Sequence, residues 1–198
     1  MPIETEIKLA LDPAGLERLG GSAAVEEAAL GPWRSERLRS VYYDTREGDL
    51  RAAGLALRVR YTAGGCVQAV KAKRDAIHRA AGECALPGET PDLAAVPDAS
   101  VRAVLEGVRG RLGPVFETVF TRRTRVLRLP GGGSAELALD VGEIRAGART
   151  EPLAEAELEL VEGNADALRA MVDRLRAAVP CDVEPRTKAE RGYALRDA

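Results

Sequence analysis

Acidic side chains recur on single strand faces in three segments of the chain, which is a pattern that could build an oxygen-rich metal site. Glu4, Glu6 and Lys8 stand two residues apart, and successive side chains of a β-strand point to opposite faces, so these three would share one face. Clustered carboxylates suit hard divalent cations such as Mg²⁺ or Mn²⁺. The other acidic residues in this pattern are Glu136 with Asp140, and Glu155 with Glu157 and Glu159.

Other segments are basic by the same rule. Arg58 and Arg60 would share one strand face, and so would Lys71 and Lys73. Clusters of Arg and Lys suit the oxygens of phosphate groups. A further basic segment contains Arg122, Arg123 and Arg125, of which Arg123 and Arg125 would share a face.

This segregation of charge favours an enclosed site over a solvated surface. For a single strand, alternating charged and apolar residues more often mean that one face meets solvent. Ordinary surfaces intersperse the two signs, however, whereas here whole strands are acidic and others basic. We therefore infer a barrel with a charged lumen, an apolar outer wall and helices packed on that wall. Unpaired charges out of water cost several kcal/mol each, and a polyphosphate with a divalent ion would compensate both signs.

The elements that must position these residues are mostly strands, because a period of two dominates the sequence. Eight strands, mostly joined by hairpins, predict a closed antiparallel β-barrel of the α+β class, which leaves no exposed strand edge. We expect residues 1–198 to form a single domain. The predicted strands cover about 3–11, 33–44, 55–61, 67–73, 77–86, 115–129, 134–144 and 152–161. Helices are predicted at about 13–19, 101–108, 165–179 and 188–195.

Bulk composition narrows the classes of function. The net charge of −2 argues against a general nucleic-acid binder. No apolar run approaches ~18 residues, so no membrane span is expected, and the N-terminus does not read as a secretory signal. Cys66, Cys84 and Cys181 are far apart, and we expect them to be reduced thiols of a cytoplasmic protein.

Lysine is rare among the basic residues. Of 29 Lys and Arg, only four are Lys, namely Lys8, Lys71, Lys73 and Lys188. The bias towards Arg does not by itself assign a role to any residue. The ammonium group of Lys, however, is compact and strongly hydrated, and Arg does not reproduce these properties. These four positions are therefore candidates for a role that needs that group.

Seven motifs, in order along nearly the whole chain, resemble those of the CYTH superfamily, also called triphosphate tunnel metalloenzymes. The first is the ExExK signature, which Glu4, Glu6 and Lys8 match. That signature alone would be weak, whereas seven motifs in order are specific. The other six lie at 42–45, at 57–60, at Val70 and Lys71 with His78, Arg79 and Glu83, at 136–142, at 155–160 and at 188–193.

The resemblance implies that Mg²⁺ or Mn²⁺ and basic side chains hold a triphosphate while water attacks its terminal phosphorus. Glu4, Glu6, Glu157 and Glu159 are the implied ligands of one ion, and Glu136, Asp140 or Glu155 could hold a second ion or orient water. The implied contacts to phosphate are Lys8, Arg58, Arg60, Lys71, Lys73, Arg79, Arg123, Arg125, Lys188 and Arg191. The residues implied in the chemistry are Lys8, Glu6, Arg58 and Lys71, with Lys8 orienting Glu6 or the attacked phosphoryl group.

Several activities remain open within this resemblance. The pattern is closest to bacterial inorganic triphosphatases, which implies hydrolysis of inorganic triphosphate to phosphate and pyrophosphate. Thiamine triphosphatase and class IV-type adenylate cyclase share the scaffold, although a cyclase needs a base pocket and aromatic residues are only 4% of this chain. A non-catalytic polyphosphate-binding module would keep the basic strands without needing the acidic ones. The expected partner is a triphosphate-containing small molecule, with a homodimer left open and no nucleic acid or membrane.

Overall fold

The computed structural model describes residues 5–74 and 77–198, with no description of the side chains of residues 73–81. Glu4 therefore lies outside the described residues. The side chains of Lys73, His78 and Arg79 lie outside them too, so the expected contacts of these residues to metal or phosphate stay predictions.

The described strands form one antiparallel sheet. Its nine strands are β1 (Glu6–Ala10), β2 (Arg34–Asp44), β3 (Leu55–Thr62), β4 (Gly65–Arg74), β5 (Ile77–Leu86), β6 (Gly113–Arg128), β7 (Ser134–Ala146), β8 (Arg149–Glu162) and β9 (Asp182–Val183). They lie in the order β5-β4-β3-β2-β6-β7-β8-β1-β9. The eight predicted strands are all present, and their alternation of apolar and polar residues explains why sequence periodicity finds them.

The expected closed, eight-stranded barrel is wrong in two respects. The sheet has nine strands, and β5 and β9 are its two edges, so the described ladders do not close. The strand β1 pairs with β8 on one side and with the short strand β9 on the other, and not with β5. In the pairing with β9, Leu9 is opposite Val183, and the N–H of Glu184 donates to the carbonyl of Lys8 at 2.9 Å.

Most helices pack on the convex face of the sheet, as the apolar stripes predict. Side chains of β1, β7 and β8 such as Leu9, Leu137 and Leu158 form one buried cluster with three of the helices, and Leu57 and Val70 form a second cluster with two others. These helices are α1 (Pro13–Gly20), α2 (Ala23–Glu26) and α5 (Ala165–Ala178) for the first cluster, and α3 (Asp49–Ala52) and α4 (Ala99–Val108) for the second. No helix among the described residues is long and apolar enough to cross a membrane.

The C-terminal helix α6 (Lys188–Asp197) packs on the concave face, which differs from the expectation that the helices lie outside. Its Tyr193 is buried with Phe116 and other apolar residues of β2, β6, β7 and β8. At Gly192 a Cβ atom would lie 2.2 Å from the Phe116 ring, so only glycine allows this close approach. The lumen is therefore charged on one part of its surface and apolar beneath α6.

Candidate functional site

The curvature of the sheet encloses a cavity of about 910 Å³ on its concave side. Strands from both halves of the sheet line it, and the N-terminal end of α6 contributes as well. Charged strand faces from distant parts of the chain therefore line one cavity. Its charged lining includes Glu6, Lys8, Arg58, Arg60, Lys71, Arg122, Glu157, Glu159 and Lys188.

One side of the cavity, which we call the basic wall, consists of Arg58 and Arg60 of β3 and Lys71 of β4. The two arginines share a face because they are two residues apart in a strand, and Lys71 is opposite Ala56 in the adjacent strand. The Nε of Arg60 donates to the Oγ of Ser40 at 3.2 Å. Among the described atoms, the buried Nε of Arg58 makes no hydrogen bond.

Burial and like charge act together on the basic wall. Burial, followed by the positive charge of Arg58, lowers the pKa of Arg60 from its ordinary value to about 10. The nearby Glu157 opposes this shift more weakly. An anion placed against Arg58 and Arg60 would offset their mutual repulsion and would be stabilised.

A row of carboxylates crosses three strands on the concave face of the sheet; Glu6 and Glu159 line the cavity, and Glu136 lies outside the described lining. Glu6 of β1 is opposite Glu159 of β8, and Glu159 is opposite Glu136 of β7. We call Glu6, Glu136 and Glu159 the carboxylate row. Lys8 follows Glu6 by two residues on the same face of β1, and its Nζ lies 2.7 Å from an Oε of Glu6.

A second acidic group lies deeper on the same face, where carboxylate oxygens of Asp140, Glu155 and Glu157 lie within 4.8 Å of one another. By this spacing alone the group could hold a metal ion. The ammonium group of Lys188 lies between them instead, 2.7 Å from Asp140, 2.5 Å from Glu155 and 2.9 Å from Glu157. All three N–H donors of the ammonium group can therefore be satisfied by carboxylates.

Two arginines complete this group, which we call the paired cluster. Arg122 donates from Nε and Nη2 to the two carboxylate oxygens of Asp140 at 2.8 and 2.7 Å, and its Nη2 also donates to Glu157. The Nη1 of Arg191 donates to Glu155 at 3.1 Å. With Lys188, three cations contact these three carboxylates, and Arg191 also pairs with Glu151 at 2.7 Å.

The pKa values of the paired cluster follow from this arrangement. Burial alone would lower the pKa of Lys188 and of Arg122, but the surrounding carboxylates outweigh burial and raise both. Burial would likewise raise the pKa of Glu157, yet Lys188 and Arg122 hold it well below its ordinary value. For Glu155, burial outweighs the attraction of Lys188 and raises the pKa.

The structure places the three arginines of β6 on different faces. Arg122 lines the cavity, whereas Arg123 hydrogen-bonds to Glu17 at 3.0 Å and Arg125 to Glu26 at 2.7 Å. Both partners belong to helices of the convex face, so Arg123 and Arg125 do not lie where a ligand in the cavity could contact them. Counting in steps of two from the buried Phe120 would have selected Arg122 from the sequence.

Two cavity residues were not among the sequence candidates. Arg51 of α3 and Arg169 of α5 line the cavity, and Arg169 also pairs with Asp166 at 2.6 Å. Sequence periodicity shows which face of a helix is apolar, but not how that helix meets the rim of a distant cavity. No local signal marked these two residues.

Comparison with known proteins agrees with the fold and the arrangement of charges. A protein-family model described as "CYTH domain" matches residues 2–193 of this chain. The chain belongs to the CYTH domain family. The match covers nearly the whole chain.

Solved structures share the fold of this CYTH domain at low sequence identity. A putative adenylyl cyclase from Hippeastrum, described as having a dominant triphosphatase activity, is 20% identical, with a TM-score of 0.64 over 97% of this chain and 96% of that chain. A putative adenylate cyclase from Bacillus halodurans is 18% identical, with a TM-score of 0.59 over 96% of each chain. The mimivirus capping enzyme triphosphatase is 9% identical, with a TM-score of 0.53 over 89% of this chain and 90% of that chain.

Proposed function

We propose that this CYTH domain hydrolyses inorganic triphosphate to phosphate and pyrophosphate and that the reaction depends on Mg²⁺ or Mn²⁺. The observation that carries the proposal is the opposition of the basic wall and the carboxylate row across one cavity. A triphosphate could contact Arg58, Arg60 and Lys71 with its phosphate oxygens, while a divalent ion joins other phosphate oxygens to carboxylates. Few other small molecules match both signs of charge.

The basic wall has the chemistry to hold the phosphate chain. The guanidinium groups of Arg58 and Arg60 can each donate two parallel hydrogen bonds to phosphate oxygens. The lowered pKa of Arg60 supports this role, because a bound anion would offset the repulsion between the two arginines. In the proposed complex, these residues position the substrate and stabilise the charge that develops on the transferred group.

The carboxylate row has the donor set for the metal. Its oxygen-only ligands, Glu6, Glu136 and Glu159, suit Mg²⁺ and Mn²⁺, and Glu4 is a further proposed ligand. Glu157, which the family resemblance also implies as a ligand, is engaged by Arg122 and Lys188. A bound ion would polarise a phosphoryl oxygen and lower the pKa of a water molecule. The ion pair of Lys8 with Glu6 at 2.7 Å supports the proposal that Lys8 orients this carboxylate.

The low number of aromatic residues in the cavity favours inorganic triphosphate over nucleotides. Tyr42 and Tyr193 are the aromatic residues in the described lining. The Tyr42 ring stacks on Phe116 with centroids 4.4 Å apart, and the Tyr193 hydroxyl donates to Asp44 at 2.8 Å. Both are held by the protein itself, which limits stacking on an adenine or thiamine ring.

Release of phosphate from tripolyphosphate, ATP and thiamine triphosphate tests the proposal. Each substrate is assayed with Mg²⁺, with Mn²⁺ and with chelator, and the ATP reaction is also analysed for cyclic AMP. We expect metal-dependent turnover that is fastest with tripolyphosphate. Preferred turnover of thiamine triphosphate, or formation of cyclic AMP, would assign the scaffold to the corresponding alternative activity.

The variant Glu6→Gln tests the metal site within the same assay. We expect turnover to fall about 100-fold, because a ligand of the ion is removed in a site where charge stabilisation dominates. Glu117→Gln is the matched control, since Glu117 pairs with Arg39 at 2.7 Å and lies outside the described cavity lining. Unchanged metal-dependent turnover in folded Glu6→Gln would refute the role of Glu6. A cytoplasmic location, a homodimer and the lack of nucleic-acid partners stay predictions.

A further inference from the structure

The paired cluster contains a lysine where its carboxylates could otherwise hold a metal ion. We propose that the ammonium group of Lys188 permanently occupies a latent divalent-cation site formed by Asp140, Glu155 and Glu157. In consequence, exchangeable metal binds only at the carboxylate row. This inference adds to the proposed function, because it states which of the two acidic groups is available to a metal ion. It rests on the proposed function only for the binding of metal at the carboxylate row.

Three carboxylates contact the ammonium group of Lys188. It donates hydrogen bonds to Glu155 at 2.5 Å and to Glu157 at 2.9 Å, and an Oδ of Asp140 lies 2.7 Å from Nζ as an ion pair. The side chain of Lys188 is only 7% exposed. The group therefore sits at the point where all three carboxylates converge, which is where a metal ion would have to bind.

Charge balance opposes the entry of a divalent ion while Lys188 is present. Each of Asp140, Glu155 and Glu157 already contacts at least one of the cations Lys188, Arg122 and Arg191. Addition of Mg²⁺ would leave surplus positive charge in a site where Asp140 and Glu155 are fully buried, even when Glu151, the other partner of Arg191, is counted. Surplus buried charge costs several kcal/mol, so the ion would have to displace the lysine.

The backbone of Lys188 is held beside the carboxylates, because α6 is capped at its N-terminus and anchored to the sheet beyond this residue. At its N-terminus, Thr187 and Glu190 form a reciprocal capping box. Arg191 donates to Glu151 at 2.8 Å and to the carbonyl of Pro152 at 2.8 Å. The hydroxyl of Tyr193 donates to the buried carboxylate of Asp44.

The residue type itself agrees with this role. The chain keeps only four Lys among 29 basic residues, and Lys188 is one of them. A compact ammonium group fits between three converging carboxylates as a metal ion would, whereas a planar guanidinium group does not. In the carboxylate row, Lys8 pairs with Glu6, whose side chain is 21% exposed.

The test is the number of Mn²⁺ ions bound per chain, measured by calorimetry and by electron paramagnetic resonance without any substrate. We expect the wild type to bind one Mn²⁺ and Lys188→Met to bind two. The extra ion should disappear in the double variant with Asp140→Asn. The control Lys71→Met removes a lysine from the same cavity and should not gain an ion. A Lys188→Met protein that binds no more Mn²⁺ than the wild type would overturn the proposal.

A second variant keeps the proposal testable if Lys188→Met does not fold. Asp140→Asn in the wild-type background should leave the number of bound Mn²⁺ unchanged, because the cluster holds no metal when Lys188 is present. Loss of a bound ion in that variant would overturn the proposal. The proposed function fails separately: a wild type that binds no Mn²⁺, beside a Lys188→Met protein that binds one, would refute the metal site at the row and support the latent site.

Discussion

The basic wall and the paired cluster adjoin the same cavity but balance their charges differently. In the paired cluster, Lys188 and Arg122 contact carboxylates on all sides, and their pKa values rise despite burial. In the basic wall, burial and the neighbouring Arg58 lower the pKa of Arg60 to about 10. The cations of the first region contact carboxylates, whereas Arg58 and Arg60 of the second repel each other.

This difference separates charges that hold the fold together from charges that are available to a ligand. A buried ion-paired cluster fixes the position of α6 on the concave face, because Lys188 and Arg191 belong to that helix. A desolvated arginine beside another arginine has no such compensation in the described structure, and a phosphate group would supply it. The contrast can be tested by removing one charge from each region.

The largest expected effect on stability is in the paired cluster. Glu157→Gln should lower the free energy of unfolding by about 3–5 kcal/mol, because it leaves Lys188 and Arg122 beside a neutral amide in a buried site. Urea denaturation measures this change. The same substitution at Glu117, whose partner Arg39 is 50% exposed, should cost less than about 1 kcal/mol. An equal loss of unfolding free energy at the two positions would mean that the paired cluster stabilises the fold no more than an exposed ion pair does.

Arg60→Met should affect activity and leave stability intact. At pH 7 the charged form of Arg60 is disfavoured in the folded protein, since its folded pKa of about 10 lies below its ordinary value. The corresponding cost is on the order of 3 kcal/mol, and it begins to fall as the pH rises through 10. We therefore expect an unchanged or higher free energy of unfolding, and a fall in kcat/KM for tripolyphosphate of about 100-fold. A variant that is destabilised but fully active would show that Arg60 stabilises the fold and does not bind the substrate.

Arg123→Gln should have the smallest effect. Arg123 lies on the convex face, where it contacts Glu17 and the ring of Trp33. Loss of this largely exposed pair should change kcat/KM by less than about twofold. A fall comparable to that in Arg60→Met, measured under the same conditions, would show that Arg123 reaches the substrate and that the two faces of β6 are wrongly distinguished.

The faces of the strands could be predicted from the sequence, because period two is a local property of the chain. Alternation places Glu6 with Lys8, and Arg58 with Arg60, on single faces, and the structure agrees. Sequence reasoning failed where distant segments meet. The two-residue strand β9 has too few residues to show a period, and the pattern of α6 does not reveal that it packs inside the curved sheet. For the same reason the pairing of Lys188 with Asp140 and Glu155 was not foreseen.

The most direct test of the account is calorimetric titration of tripolyphosphate into the chelator-treated protein, so that binding is measured without turnover. The account predicts one tripolyphosphate per chain, an affinity about 10- to 100-fold weaker in Arg60→Met, and an unchanged affinity in Arg123→Gln. Absence of binding to the wild type, or wild-type affinity in Arg60→Met, would contradict the claim that the basic wall of the cavity holds the triphosphate.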